Sequence, residues 1–276
     1  MKASALLAAA LSGSLLVGCA DRASLPQEVV HPSIVSLNPC TDAILAEVAE
    51  PRQILAISYY SHDPRSSSME PAAARRFPAT GGTAEEVLAL RPDMVIAGSF
   101  LPPATAQAFR RLGIRVETFP IASSIAESKA QVVRIAVLAG GVDEGAALNR
   151  RIEAALVAAA PAPGARHIDA LVWQQGGIVA GPDSLIADLL THTGFSSHAA
   201  ARGLGQGAYL PLEQVLANPP ELILAAGDQR ALTHPALSAL ATTRRETLDP
   251  SLLFCGGPTI IRAARRLAEI RRGGES

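Results

Sequence analysis

The chain has 276 residues, 49% of them hydrophobic and 18% charged, with a formal net charge of −1. That is a globular composition. Two lysines, Lys2 and Lys129, and dispersed arginines exclude the basic face that nucleic-acid binding requires.

In chain order, residues 1–19 read as an export signal. Lys2 supplies the positive start, and a mostly apolar stretch from Ala5 to Val17 is too short to span a membrane. It closes on Leu16-Val17-Gly18-Cys19, which looks like a bacterial lipobox with Cys19 as the lipidated residue. An ordinary cleaved signal near Ala20 or Ala23 is the alternative. The expected location is the periplasm, anchored through Cys19 or else soluble. Residues 20–32, with Pro26 and Pro32, read as a tether.

An N-terminal α/β lobe is expected over 33–140. It holds a strand at Ile34–Leu37, a turn at Asn38–Asp42, and a helix over 42–49 capped by Thr41 or Asp42. A second strand follows at Ile54–Ser58, then a long loop from Tyr59 to Gly82. After a helix, a proline stop and a strand between Glu85 and Ala97, the loop Gly98–Pro103 leads to a helix ending at Leu112 and a strand at Arg115–Phe119. Helices are expected over 125–139 and 143–160, the second with Leu148, Ile152 and Leu156 on one face. This second helix, within 141–163, is read as the connector between lobes.

A C-terminal lobe is expected over 164–276. It opens with strand Asp169–Gln174, followed by loop Gln175–Gly177, segment Ile178–Gly181, and a helix from Pro182 to Leu190. The glycine-rich loop Arg202–Gly207 leads to a second helix, proline and strand unit. A last strand at Ser251–Phe254 and a helix over 259–271 complete the lobe.

The two helix–proline–strand units are one motif repeated. Glu85-Glu86-Val87-Leu88-Ala89-Leu90-Arg91-Pro92-Asp93-Met94-Val95-Ile96-Ala97 returns as Glu213-Gln214-Val215-Leu216-Ala217-Asn218-Pro219-Pro220-Glu221-Leu222-Ile223-Leu224-Ala225. The expected fold class is therefore α/β: two Rossmann-like lobes with mainly parallel sheets, joined by one long connecting helix. Two lobes enclose a cleft, and ligands of open α/β sheets sit beyond the carboxyl ends of the strands. Those ends are Asn38–Cys40, Tyr59–Asp63, Gly98–Leu101, Gln174–Gly177, Gly227–Asp228 and Phe254–Gly257.

Ile34 through Pro39, Ala56 through Ser61, Glu85 through Gly98, Leu112 through Val116, and Leu212 through Ala225 follow one another in the order found in a known family. Together they resemble the Fe/B12 periplasmic-binding family, over roughly residues 33–272. Its members are the substrate-binding proteins of ABC importers for vitamin B12, ferric siderophores and haem. The resemblance implies two lobes on a single long helix, an ABC permease and its ATPase as partners, and a metal chelate as cargo. It also implies docking on the permease through one surface glutamate per lobe, matching Glu85 and Glu213, with Glu86 as the competing choice.

The candidate ligand contacts are Asn38, Cys40, Tyr59, Tyr60, His62, Phe100, Trp173, Gln174, Gln175, Tyr209 and Cys255. Tyr60 matches a cleft-lining tyrosine of the B12-binding members; the others follow from strand-end positions, where aromatic faces pack on a macrocycle and amides hold its edge. Among arginines, Arg202 and Arg262 stand nearest those loops.

His62 reads as an axial ligand to a bound metal or as an exposed loop histidine. Cys40 and Cys255 leave three readings open: free thiols, a disulfide across the cleft, or contacts to a soft metal or the ligand. No resident metal or cofactor is expected, and no nucleic-acid partner; a monomer is.

The chain has no Gly-x-Ser-x-Gly elbow, no His-Glu-x-x-His and no Walker motif. Gly203-x-Gly205-x-Gly207 lacks dinucleotide spacing and reads as a loop at the cleft. The expectation is a receptor, not an enzyme. The rivals are a non-transport sensor or structural lipoprotein on the same fold, and an enzyme using His62 and Asp63.

Overall fold

A computed structural model describes residues 31–227 and 234–274. The signal and lipidation expectations for 1–19, including Cys19, and the tether up to residue 30 lie outside the described residues, as does Asp228.

The chain forms two parallel sheets. In the first, β1 (Ile34–Ser36), β2 (Ile54–Ser58), β3 (Ala79–Thr80), β4 (Met94–Gly98) and β5 (Arg115–Phe119) lie in the order β3-β2-β1-β4-β5. In the second, β6 (Ile168–Gln174), β7 (Phe195–Ser197), β8 (Leu222–Ala226) and β9 (Arg244–Thr247) lie in the order β7-β6-β8-β9. Every strand pair is parallel; Ile34 lies opposite Met94, and Leu171 opposite Ile223. β1 and β8 are buried along their whole length, because helices cover both faces of a parallel sheet.

The helices are α1 (Pro39–Val48), α2 (Pro71–Ala74), α3 (Ala84–Leu90), α4 (Pro103–Arg111), α5 (Ile125–Ala139), α6 (Val142–Ala159), α7 (Leu185–His192), α8 (His198–Ala201), α9 (Leu212–Ala217) and α10 (Thr259–Arg272). Between β5 and β6 the chain runs through α5 and α6, and α6 packs on α1 and α5 from the first half and on α10 from the second. Its buried face is Leu148, Ile152 and Leu156, the four-residue spacing read from the sequence.

One apolar core runs through both halves. It joins Ile34, Ile44 and Met94 to Val172, Leu224 and Ile260 by way of Val132, Ile135 and Ile152. Each sheet also has an outer core of its own: Val35, Val87, Val95 and Phe109 behind the first, and Leu171, Trp173, Val215 and Ile223 behind the second. Alternate residues of a strand face opposite sides, so β6 sends Val172 into the shared core and Trp173 into the outer one.

Several boundaries differ from the sequence reading. α1 starts at Pro39 because Asn38, not Thr41 or Asp42, is its cap: Asn38 Oδ1 accepts from the Cys40 amide at 2.9 Å. The last strand is β9, and Ser251–Phe254 is not one; Pro250–Leu252 is a 3₁₀ turn. β9 is an edge strand of sequence Arg-Arg-Glu-Thr, whose polarity suits an exposed sheet edge and hides it from a search for apolar runs. β3 and β7, two and three residues long, are edge strands too.

Candidate ligand-binding cleft

The carboxyl ends of β1, β4, β5 and β6 open on a cavity of about 430 Å³. Asn38, Ser99, Phe100 and Ile121 come to it from the first sheet; Gln174, Asp183, Gln206 and Phe254 come from the second half. Cys40 and Cys255 also line it, and they are joined as a disulfide with Cα atoms 5.0 Å apart. Of the three readings open in the sequence, the structure has the disulfide, and it ties the start of α1 to the segment before α10.

Other contacts fix the two halves beside the cleft. Ser128 of α5 accepts the Gly257 amide at 2.7 Å, and Asp188 of α7 accepts the Ile125 amide at 2.8 Å. Ser68 Oγ donates to the Ser251 carbonyl at 2.5 Å, and Arg262 pairs with Glu70 and the Ser68 carbonyl.

Of the candidate contacts, Asn38, Cys40, Phe100, Gln174 and Cys255 line this cavity. Asn38 Oδ1 is committed to capping α1, which leaves its amide N–H₂ toward Gly98. A side chain at Gly98 would bring a Cβ within 2.6 Å of that nitrogen, so the approach requires glycine there. Gln174 is half-buried and makes no side-chain hydrogen bond among the described residues.

Tyr59, Tyr60, His62 and Gln175 follow strand ends but stand outside the cavity lining, as does Tyr209 in the loop before α9. Tyr59 and Tyr60 are each 48% exposed with ring centroids 4.1 Å apart. Contact with the Tyr60 hydroxyl raises the Tyr59 phenol above its ordinary value. His62 is exposed, with Nε2 3.2 Å from the Phe77 carbonyl.

Trp173 is a correction. It is 6% exposed, lies in the outer core, and donates through Nε1 to the Leu210 carbonyl at 3.2 Å. Strand alternation turns it away from the cleft.

The turn Tyr59–His62 rests on Asp42, which is fully buried. Asp42 Oδ2 accepts from the Ser58 amide at 3.0 Å and from Ser61 Oγ at 2.6 Å. Loss of hydration pushes its carboxyl up to about 8, against the pull of those donors. Sequence reading took Asp42 only as a helix cap; the alternation of β2 toward Ser58 carried no sign of the contact. It also missed Ile121, Asp183 and Gln206, while Phe254, read as a cleft-side strand end, reaches the cavity from a turn instead. For Gln206 there was a signal, since it sits in the glycine-rich loop expected at the cleft, where its Oε1 accepts the Gly181 amide at 2.9 Å.

The repeated glutamates occupy matching places. Glu85 is in the first turn of α3 and Glu213 in the first turn of α9. Both are exposed, and among the described residues neither side chain has a hydrogen-bond or ion-pair partner. Glu86 differs: it accepts from Thr80 Oγ1 at 2.7 Å and from the Gly82 amide at 3.1 Å, and the Thr80 hydroxyl holds its carboxyl below the usual range.

A family model described as periplasmic binding protein matches residues 34–248, most of the chain. The chain belongs to the periplasmic binding protein family. That family comprises substrate-binding transport proteins, including the haem-, B12- and iron-binding receptors of ABC importers.

Solved structures agree on the fold. The periplasmic haem-binding protein RhuT from Roseiflexus sp. RS-1 is 22% identical, with a TM-score of 0.67 over 87% of this chain and 97% of that one. The periplasmic haem-binding protein HutB of Vibrio cholerae is 20% identical, with a TM-score of 0.70 over 88% and 99%. The periplasmic vitamin B12-binding protein BtuF of Vibrio cholerae is 16% identical, with a TM-score of 0.69 over 88% and 98%. A search of curated protein sequences finds no significant match.

Among the described residues no helix is long and apolar enough to cross a membrane, and no cluster of three or more histidine, cysteine or acidic side chains is placed to hold a metal ion.

Proposed function

We propose that this periplasmic binding protein is the receptor of an ABC importer. It takes a metal chelate into the cleft between its sheets and presents it to the permease through Glu85 and Glu213, with Cys19 as a lipid anchor. The observation that carries this reading is the pair of glutamates. Two exposed, uncommitted carboxylates sit at the same position of a repeated unit, one on each side of a cleft. Charged anchors of this kind orient an encounter and speed it, and two of them fix both lobes on the partner together.

The chelate would enter as cargo and leave unchanged. Asn38 and Gln174 would hold its polar edge, and Phe100, 80% exposed, would pack on its apolar face. The engagement of Glu86 within its own loop supports Glu85 as the first-lobe anchor.

The test is charge reversal. In cells that depend on this receptor, Glu85→Arg with Glu213→Arg should abolish chelate uptake while the purified variant binds cargo as before. Each single reversal should reduce uptake less. Uptake unchanged in the double variant would sink the docking assignment. Replacing Cys19 by alanine should move the protein from the membrane to the soluble fraction.

A further inference from the structure

Much of what joins the two halves does not involve the Cys40–Cys255 bridge. One apolar core runs through both, and Ser128, Asp188 and Ser68 tie them by hydrogen bonds beside the cleft. The bridge lies on the cavity wall itself, with Cys40 half-buried and Cys255 5% exposed.

What it fastens there is a short strip of that wall. Among the described residues the amides of Phe254, Cys255 and Gly256 donate no hydrogen bond. The Leu253 amide before them goes to the Pro250 carbonyl, and the Gly257 amide after them to Ser128 Oγ. All three residues of the strip line the cavity, Phe254 with 41% exposure. Backbone with so few bonds of its own opens locally at little cost once it is released. The strip also has a seat to return to: a Cβ on Gly256 would lie 2.2 Å from Ser128 Oγ, and one on Gly257 2.7 Å from Ile44. That close seat on α5 and α1 brings Cys255 back beside Cys40 and favours closure of the bridge again.

We propose that the Cys40–Cys255 bridge is a redox-sensitive latch on the cleft. Oxidised, it holds the Phe254–Gly256 wall in place around cargo; reduced by a dithiol carrier, it lets the wall move and cargo leave. The cargo part rests on the receptor reading above.

The exchange balances. One thiolate of the dithiol attacks Cys40 Sγ, the more exposed sulfur, and Cys255 leaves as a thiolate. The second thiolate attacks the mixed disulfide, and Cys40 leaves in turn, favoured as a thiolate by the first-turn amides of α1. The carrier closes to its own disulfide, two electrons pass to the bridge, and the two protons of the carrier end on Cys40 and Cys255.

The experiment treats the folded protein with dithiothreitol, a dithiol small enough to enter the cavity. Labelling with N-ethylmaleimide and hydrogen exchange follow, each read by mass spectrometry. Both cysteines should label without unfolding. Exchange in the segment 253–261 should rise about tenfold, while β1 and β8 keep their protection. Cys40→Ser with Cys255→Ser should show the fast exchange without dithiothreitol and ignore its addition. Labelling that needs urea would make the bridge a structural staple and overturn the latch, as would labelling with exchange unchanged.

Titration with haemin and dicyanocobinamide tests the cargo part. A probe that binds the bridged protein should bind the double variant about fivefold or more weakly, since the wall is no longer preorganised. Equal binding by the two forms would overturn control of cargo by the latch and leave the receptor reading standing. Failure of both probes to bind the bridged protein would count against the receptor reading for such chelates, while the exchange result would still decide the latch.

Discussion

The two copies of the repeated unit are fastened to their sheets in one respect alike and in another not. Val87 in α3 and Val215 in α9 are equivalent residues, both fully buried, each in the outer core of its own sheet. The polar fastening differs. Thr83 caps α3 by accepting the Glu86 amide at 3.2 Å, and Glu86 reaches back to Thr80 and Gly82. Pro211 precedes α9 and makes no side-chain cap; there Arg202 holds the Gln214 carbonyl at 3.2 Å instead. The apolar spacing is what the motif keeps, because burial fixes where the helix lies. The polar partners vary, because any local donor or acceptor that satisfies the helix end serves. What stays exposed in both copies, with no side-chain partner among the described residues, is the glutamate.

The strongest way to break the equivalence of the halves is to cut what joins them. Cys40→Ser with Cys255→Ser opens a bridge across 215 residues of sequence. It should lower stability by about 2–4 kcal/mol in urea unfolding, since the reduced unfolded chain regains loop entropy. The shared core through α6 should still hold the two sheets in a single cooperative transition. Two separated transitions would show that the bridge, and not the core, unites them.

A second test sharpens the contrast between the two cleft-side turns. The first-half turn Tyr59–His62 sits on Asp42, while its second-half counterpart, Gln175–Gly177, is shaped by glycines at φ 76° and 81°. Asp42 ionises near 3.8 when unfolded and near 8 when folded. Between those values the folded state keeps a proton that the unfolded state has lost, so its contribution to stability falls as pH rises from about 4 to about 8 and is flat above. Asp42→Asn should be about 1–3 kcal/mol more stable than the parent at pH 8, by sparing a buried charge, and should lose that part of the pH dependence. Equal pH slopes for parent and variant would place the proton elsewhere.

These contrasts also separate what the sequence shows from what it hides. Ile34–Ser36, Ile54–Ser58, Met94–Ala97 and Leu222–Ala226 are legible because a parallel strand covered on both faces is an unbroken apolar run. The long helix α6 is legible from Leu148, Ile152 and Leu156. The short or polar edge strands β3, β7 and β9 are not, since they bury little, whereas the edge strand β5 is legible at Arg115–Phe119.

In the cleft, strand ends point to the right neighbourhood but not to the facing. Trp173 and Gln174 are adjacent in sequence, yet the pleat sends the first into the outer core and leaves the second to the cavity. Asp183 reaches the cleft only through tertiary packing, and the partnership of Cys40 with Cys255 is a fact of three dimensions that the sequence leaves as one of three readings.

The smallest expected effect tests the comparison of the two copies most directly. Thr83→Ala removes the side-chain cap of α3 and should cost about 1 kcal/mol, the usual price of a lost N-cap. Pro211→Ala removes no cap and should change stability by less than about 1 kcal/mol, mainly through the freedom of the unfolded chain. If fastening of α3 also positions Glu85, Thr83→Ala should reduce uptake while leaving cargo affinity unchanged, and Pro211→Ala should affect neither. Equal losses at the two sites would mean that the caps are incidental and that Val87 and Val215 alone hold the helices that carry the glutamates.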